Sequence, residues 1–160
     1  MRVLIAAAGR LKDGAERELF DRYAARFDQA GRTLLLGPLS VSELPESRAA
    51  TVALRKADES VRLLKAAAGA SVVIALDEAG KLETSAAFAT RIAKWRVDGA
   101  GTLAFLIGGP DGHGNEVLAS ARLTLSLGPM TLPHGLARIV LAEQLYRTVT
   151  ILTGHPYHRA

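Results

Sequence analysis

Thr102-Leu103-Ala104-Phe105-Leu106-Ile107-Gly108-Gly109-Pro110-Asp111-Gly112 is the stretch from which the fold is read. Its first six residues carry no charge and are aliphatic or aromatic after the threonine, the composition of a strand covered on both faces. Gly108-Gly109-Pro110 then stops the strand, and Asn115 to Ser120 reads as a short helix just beyond. A buried strand that ends in glycines and leads into a helix is the unit of an α/β protein with a parallel sheet.

Working outward, four more apolar runs read as strands: Arg2 to Ala8, Thr33 to Leu39, Ser71 to Leu76 and Arg122 to Ser126. Between them lie segments of helical period. One runs from about Gly14 to Asp28, where Leu19, Phe20, Tyr23 and Phe27 form an apolar face. A second, Ser47 to Ala68, mixes Val52, Leu54, Val61, Leu63 and Leu64 with Arg48, Arg55, Lys56, Arg62 and Lys65, giving a basic side. Thr84 is placed to cap a third, which carries Phe88, Ile92 and Trp95 and stops at Asp98-Gly99. The last and longest spans about Gly135 to Leu152. Gly37 to Arg48, with Pro38 and Pro45, is the most loop-like region, and Thr153 to Ala160 reads as a tail.

The 160 residues are 49% hydrophobic with no repeat, so one domain over residues 1–160 is expected. The net charge of +4 favours an anionic partner only mildly, because 16 acidic side chains are mixed among 20 basic ones. With no cysteine, disulfides, thiolate metal sites and cysteine nucleophiles are excluded, and the cytosol is the expected compartment. The opening Val3 to Ala8 run is too short for a signal or a span, and no run of about 18 apolar residues occurs, so no membrane span is expected.

Ligands of open α/β sheets bind where strand carboxyl ends meet helix amino ends. Three loops fall there: Leu76 to Gly80, Ile107 to Gly112, and Leu127 to His134. Gly108-Gly109-Pro110 reads either as a simple tight turn or as glycines that let a flat ligand approach the main chain; it matches neither a dinucleotide fingerprint nor a Walker A loop. Pro129, Thr131, Pro133 and His134 fix an extended backbone where a helix must start, which suits a ligand wall and a helix entry equally. In the tail, His155-Pro156-Tyr157-His158 has no third metal ligand and its proline breaks helical spacing, so no metal is expected. Tyr157 has the chemistry to stack on a base, and Arg159 to meet a phosphate or a developing oxyanion.

Leu106 to Gly112, Thr131-Leu-Pro-His134, Leu141-Ala-Glu-Gln-Leu-Tyr-Arg147 and His155-Pro-Tyr-His-Arg159, in that order and spacing, resemble the RlmH-type methyltransferases of the SPOUT superfamily. The likeness runs from the Arg2 to Gly9 opening to the tail, with Asp111 standing where glutamate is frequent and His113-Gly114 as less usual loop residues. The resemblance implies a single-domain α/β fold with a carboxyl-terminal trefoil knot and a homodimer. It implies S-adenosylmethionine bound by Leu76, Gly108, Gly109, Gly128, Pro129, Met130, Thr131, Leu132 and Pro133. The implied substrate is a pseudouridine of large-subunit (23S) rRNA, methylated at N3, on the ribosome. On that basis His158 is the candidate general base, Arg159 the candidate for stabilising charge on the base, and Tyr157 and His134 are further candidates. For His134, capping or orienting the long helix is the alternative, and for Glu143 and Arg147 a plain intrahelical ion pair is the simpler account. The basic side of the second helix, with Arg10 and Lys12, is the candidate surface for RNA phosphates. A ribosome-associated RNA-binding protein without turnover, and a SPOUT enzyme acting on tRNA, are the other readings. Thermal stabilisation by the cofactor separates the first of these from an enzyme.

Overall fold

The computed structural model describes residues 1–158. Five parallel strands, β1 (Arg2–Ala8), β2 (Leu39–Leu44), β3 (Val72–Leu82), β4 (Thr102–Ile107) and β5 (Leu123–Ser126), form one sheet in the order β2-β1-β4-β3-β5. β4 lies in the centre between β1 and β3, and from Leu103 to Leu106 every residue is fully buried. This is why its sequence shows no alternation: both faces are covered.

Five helices cover those faces: α1 (Ala15–Gly31), α2 (Val52–Ala66), α3 (Ser85–Val97), α4 (Asn115–Ser120) and α5 (His134–Thr153). Side chains alternate across each strand, so Val3, Ile5, Ile74, Leu103 and Phe105 join one core with Phe20 and Phe27 of α1, Ile92 and Trp95 of α3, and Leu141 and Leu145 of α5. Ala6, Ala75, Ala104 and Leu106 join a smaller one with Leu63 of α2 and Val117 of α4. Alanines on that second face leave room for α2 and α4 to lie close to the sheet. Thr84 caps α3 by accepting from the Ala87 N–H, and Thr51 caps α2 by accepting from that of Leu54.

The second strand differs from the sequence reading. Thr33 to Leu39 is the segment expected from composition, but Arg32–Leu34 closes a 3-10 turn, Leu35 adopts a left-handed conformation (φ 54°), and the strand occupies Leu39–Leu44. β2 is an edge strand paired to β1 alone, so its Leu-Ser-Val-Ser-Glu-Leu sequence alternates and reads as loop, whereas Leu34-Leu35-Leu36 looks like a strand and is a turn. α2 begins at Val52 rather than Ser47, and Val52, Leu54 and Val61 are exposed, leaving Leu63 as its buried anchor. Of the tail, Pro156–His158 forms a 3-10 turn that packs back on α5.

Candidate functional site

The carboxyl ends of β3, β4 and β5 open into one cleft of about 870 Å³, within the range of small-molecule sites. Its walls are the three loops singled out in the sequence. The first leaves the sheet because β3 pairs with Leu125 of β5 twice, through Leu76 and again through Lys81, so Asp77 to Gly80 loop outward between the two pairings. Gly80 is required where the strand returns, since a Cβ there would lie 2.8 Å from the backbone of Thr124 and Leu125.

The second loop is a tight turn as well as a cleft wall: the Gly112 N–H donates to the Gly109 carbonyl at 2.9 Å. Its glycines answer to the protein's own packing. A Cβ on Gly108 would sit 2.9 Å from the Gly112 carbonyl carbon, and one on Gly109 would sit 2.8 Å from Glu59 Oε2. Gly128 in the third loop is different, with φ 140° and nothing within 4 Å of where a Cβ would point. There the main chain borders open space. The third loop is tied to the first by Thr131 Oγ1, which donates to Glu78 Oε2 at 3.1 Å, and Met130 is 80% exposed at the edge.

Leu76, Gly108, Gly109, Gly128, Met130, Thr131, Leu132 and Pro133 all line this cleft, as does His134; Pro129 does not. His134 is the first residue of α5, and Pro133 before it stands at the N-cap with no side-chain cap hydrogen bond. A Cβ on Gly9 would be 3.1 Å from both His134 Nε2 and Glu46 Oε1, so the imidazole lies between the end of β1 and the cleft. Lys56 of α2 also reaches the wall.

His113, which the sequence marks only as a less usual loop residue, belongs to the cleft wall. It is 5% exposed in the cleft wall, with Nε2 3.1 Å from the Leu106 carbonyl oxygen. Burial pushes its pKa down, against the Leu106 carbonyl and the charges of Asp77 and Glu59, which favour the protonated ring. A histidine whose pKa is depressed in the fold gives stability that is complete above its unfolded value of about 6.5 and is lost as pH falls, because the unfolded chain takes up the proton first. Urea unfolding at pH 7.5 and 5 is therefore expected to show a larger loss for the wild type than for His113→Gln. Equal losses would remove His113 as the cause.

Among the described residues of the tail, none lines this chain's cleft. Tyr157 packs on Tyr146 (ring centroids 4.7 Å apart), lies beneath Arg147, and donates its hydroxyl to Glu143 Oε1 at 3.0 Å. Burial and its bond to Glu143 raise its pKa, so the hydroxyl stays protonated. The Glu143–Arg147 pair is present at 2.7 Å, but Glu143 is more than half of an intrahelical pair, since it also fixes the tail. His158 Nδ1 is 2.7 Å from the His155 carbonyl oxygen. Arg159 lies outside the described residues. Glu143 stands nine residues beyond His134 on α5, roughly 14 Å along the helix axis, so tail and cleft are well separated within one chain.

The basic side expected of α2 is partly neutralised. Arg55 pairs with Asp111 at 2.6 Å, holding that carboxyl below its usual range, and Arg62 pairs with Asp58. Among the described residues Arg10, Lys12, Arg48, Lys56 and Lys65 form no ion pair. No group of three or more His, Asp or Glu among the described residues is arranged to hold a metal, and no described helix is long and apolar enough to cross a membrane.

A family model described as predicted SPOUT methyltransferase matches residues 1–158. A protein named ribosomal RNA large subunit methyltransferase H from Brucella anthropi is 52% identical over 160 residues, covering all of both chains. One of the same name from Bradyrhizobium diazoefficiens is 49% identical over 160 residues, again end to end in both. Among solved structures, a probable methylase family protein from Haemophilus influenzae Rd KW20 aligns with a TM-score of 0.53 over 99% of this chain and 70% of its own, at 17% identity, a likeness of fold.

Proposed function

The chain belongs to the SPOUT methyltransferase family, and from that premise we propose that it methylates large-subunit ribosomal RNA with S-adenosylmethionine, at N3 of a pseudouridine on the assembled ribosome. The observation that carries the reading is the cleft: three loops that are apart in sequence, each following a different strand, converge on one volume at the carboxyl ends of β3, β4 and β5. The trefoil knot follows from the family. The site is cytosolic, where ribosomes are.

The cleft's residues fit the cofactor. About 870 Å³ accommodates a nucleoside with an amino-acid arm, and Gly128 leaves its main chain open to a flat group. Leu76, Leu132 and Ala137 supply apolar wall, while the loop backbones at Gly108, Gly128 and Met130–Pro133 supply polar groups. S-adenosylmethionine, when bound, contributes a methyl group that is already activated. What is left to the protein is alignment and the removal of one ring proton from the base.

His158 is the group that accepts this proton, and Arg159 stabilises negative charge spreading onto the ring carbonyl oxygens. Tyr157 holds the tail through Glu143, so that His158 is presented from a fixed turn. The separation of tail and cleft along α5 supports a homodimer in which the tail of one subunit completes the cleft of the other. His134, beside Gly9 and in the cleft wall, faces the side from which substrate arrives, and Arg10, Lys12, Arg48 and Lys56 are cations for RNA phosphates.

Transfer of labelled methyl from S-adenosylmethionine to ribosomes lacking the modification, set beside free rRNA, tests the reading. Label at N3 of one pseudouridine, on ribosomes and not on free RNA, is the expected result. Label on tRNA or on another base would change the substrate, and cofactor binding with no acceptor at all would favour a binding protein.

A further inference from the structure

We infer that Glu59 is a positioning residue that fastens the cofactor loop to the Pro45–Thr51 segment outside the cleft; this rests on the cofactor reading above. Glu59 lies on α2, is 5% exposed, and among the described residues belongs to no ion pair. A buried carboxylate needs hydrogen bonds to offset the loss of water, and this one receives them from two unrelated stretches of backbone. Oε2 accepts from the Gly109 N–H at 3.2 Å, and Oε1 from the Ser47 N–H at 2.9 Å.

The neighbours of Glu59 act on the same two stretches. Ser60 Oγ accepts from the Gly114 N–H at 3.2 Å, and Arg55, one turn earlier, pairs with Asp111. α2 thus grips the loop at residues 109, 111 and 114. On the other side, Ser47 Oγ donates to Asp58 at 2.6 Å and Arg62 donates to the Pro45 carbonyl at 2.8 Å. Arg55 also touches both stretches, donating to the Ala49 carbonyl at 3.2 Å as well as to Asp111, but Glu59 is the side chain that accepts a backbone N–H from each, and Gly109 has no side chain because a Cβ would take the place of its carboxylate.

Glutamine is not a neutral replacement here. Each carboxylate oxygen meets an N–H donor, so the amide nitrogen introduced by Glu59→Gln would face a donor with a donor on one side or the other. When a ligand orders the Gly108–Gly112 loop, the Gly109 amide is fixed on Glu59, and the carboxylate in turn fixes Ser47, next to the exposed Arg48. Coupling of this kind is reciprocal: an anion held at Arg48 would steady the cofactor loop by the same amount.

S-adenosylhomocysteine is the probe, read by calorimetry and by amide hydrogen exchange. Glu59→Gln is expected to weaken its binding ~10-fold, the size of one charge-assisted hydrogen bond, and to raise KM for S-adenosylmethionine more than it lowers kcat. In the wild type the probe should slow exchange at Ser47, which does not line the cleft, as well as at Gly109, and Glu59→Gln should abolish the Ser47 response. Unchanged affinity in the variant, or a Ser47 amide indifferent to saturating probe in the wild type, would overturn the inference. If Glu59→Gln does not fold, Ser47→Pro is set beside Ser47→Ala, which loses the same hydroxyl but keeps the N–H given to Glu59, and equal probe affinity in the two overturns the inference equally. A wild type that binds no probe would instead overturn the cofactor reading, and the inference with it.

Discussion

Arg138→Met is expected to lower stability by about 3 kcal/mol, the low end for removing one partner of a buried charged pair, and Tm by roughly 6–12 °C in a domain of this size. Arg138 sits in the first turns of α5 with its side chain fully buried. Burial pushes its pKa down, Glu43 of β2 opposes that shift from 2.5 Å, and Nη2 donates to the Gly9 carbonyl at 3.1 Å. Glu43 is shared: it also accepts from Arg17 of α1 and from the Leu11 N–H. Methionine would fill much of the volume but leave the Gly9 carbonyl without its donor. The carboxylate would keep Arg17, which is why the low end applies. Because one network holds α5, α1 and the loop after β1, the double variant Arg138→Met/Glu43→Gln should cost less than the sum of the two singles. A change in Tm below about 2 °C for Arg138→Met would show that the cluster is energetically neutral.

Glu43 also gives this network a pH dependence. Burial opposes its ionised form, but the Leu11 N–H, Arg17 and Arg138 together hold its carboxyl below the usual range. A depressed carboxylate contributes stability that is present above its unfolded value, near 4.3, and is lost as pH falls through the folded one. Acid unfolding below pH ~4 should therefore be shallower in the double variant.

The second large effect is on turnover. His158→Ala is expected to cut turnover ~100-fold or more while leaving S-adenosylhomocysteine affinity nearly intact, the loss typical of a general base. Gly108→Ala should be inactive for a different cause, abolishing binding because its Cβ would meet the Gly112 backbone at 2.9 Å. Mixing the two variants under conditions that exchange subunits distinguishes the arrangements. If tail and cleft meet across a two-fold interface, each heterodimer regains one site built from the intact cleft of one chain and the intact tail of the other. Activity then rises well above either parent. If they meet within one chain, no mixture recovers. Retained turnover in His158→Ala would remove His158 from proton transfer.

Much of the site was readable in the sequence because the signals are local. An unbroken apolar run marks a covered strand, glycine and proline mark its end, and β4 with its loop lies where the reading put it, as do β1, α3, α4 and α5 within a residue or two. Two of the four family motifs fall in the cleft loops, and Gly108, Gly109, Gly128 and Met130 to Pro133 line that one cleft. β2 escaped because an edge strand shares its alternation with loops, and the apolar Leu34 to Leu36 beside it was the stronger decoy.

The amino-acid sequence by itself determined the α/β class, the central strand, the three loops and the family, since periodicity, turn chemistry and motif order are properties of neighbouring residues. Only the tertiary structure decided which polar groups are partners. Arg138 meets Glu43 across 95 residues, Glu59 meets Gly109 across 50, and Tyr157 turns back to Glu143 across 14. On a helix wheel Arg55 and Arg62 look like free cations, yet Asp111 and Asp58 hold them. A charge in sequence states what it could bind, while burial and distance, which depend on how sheet and helices stack, fix what it does bind.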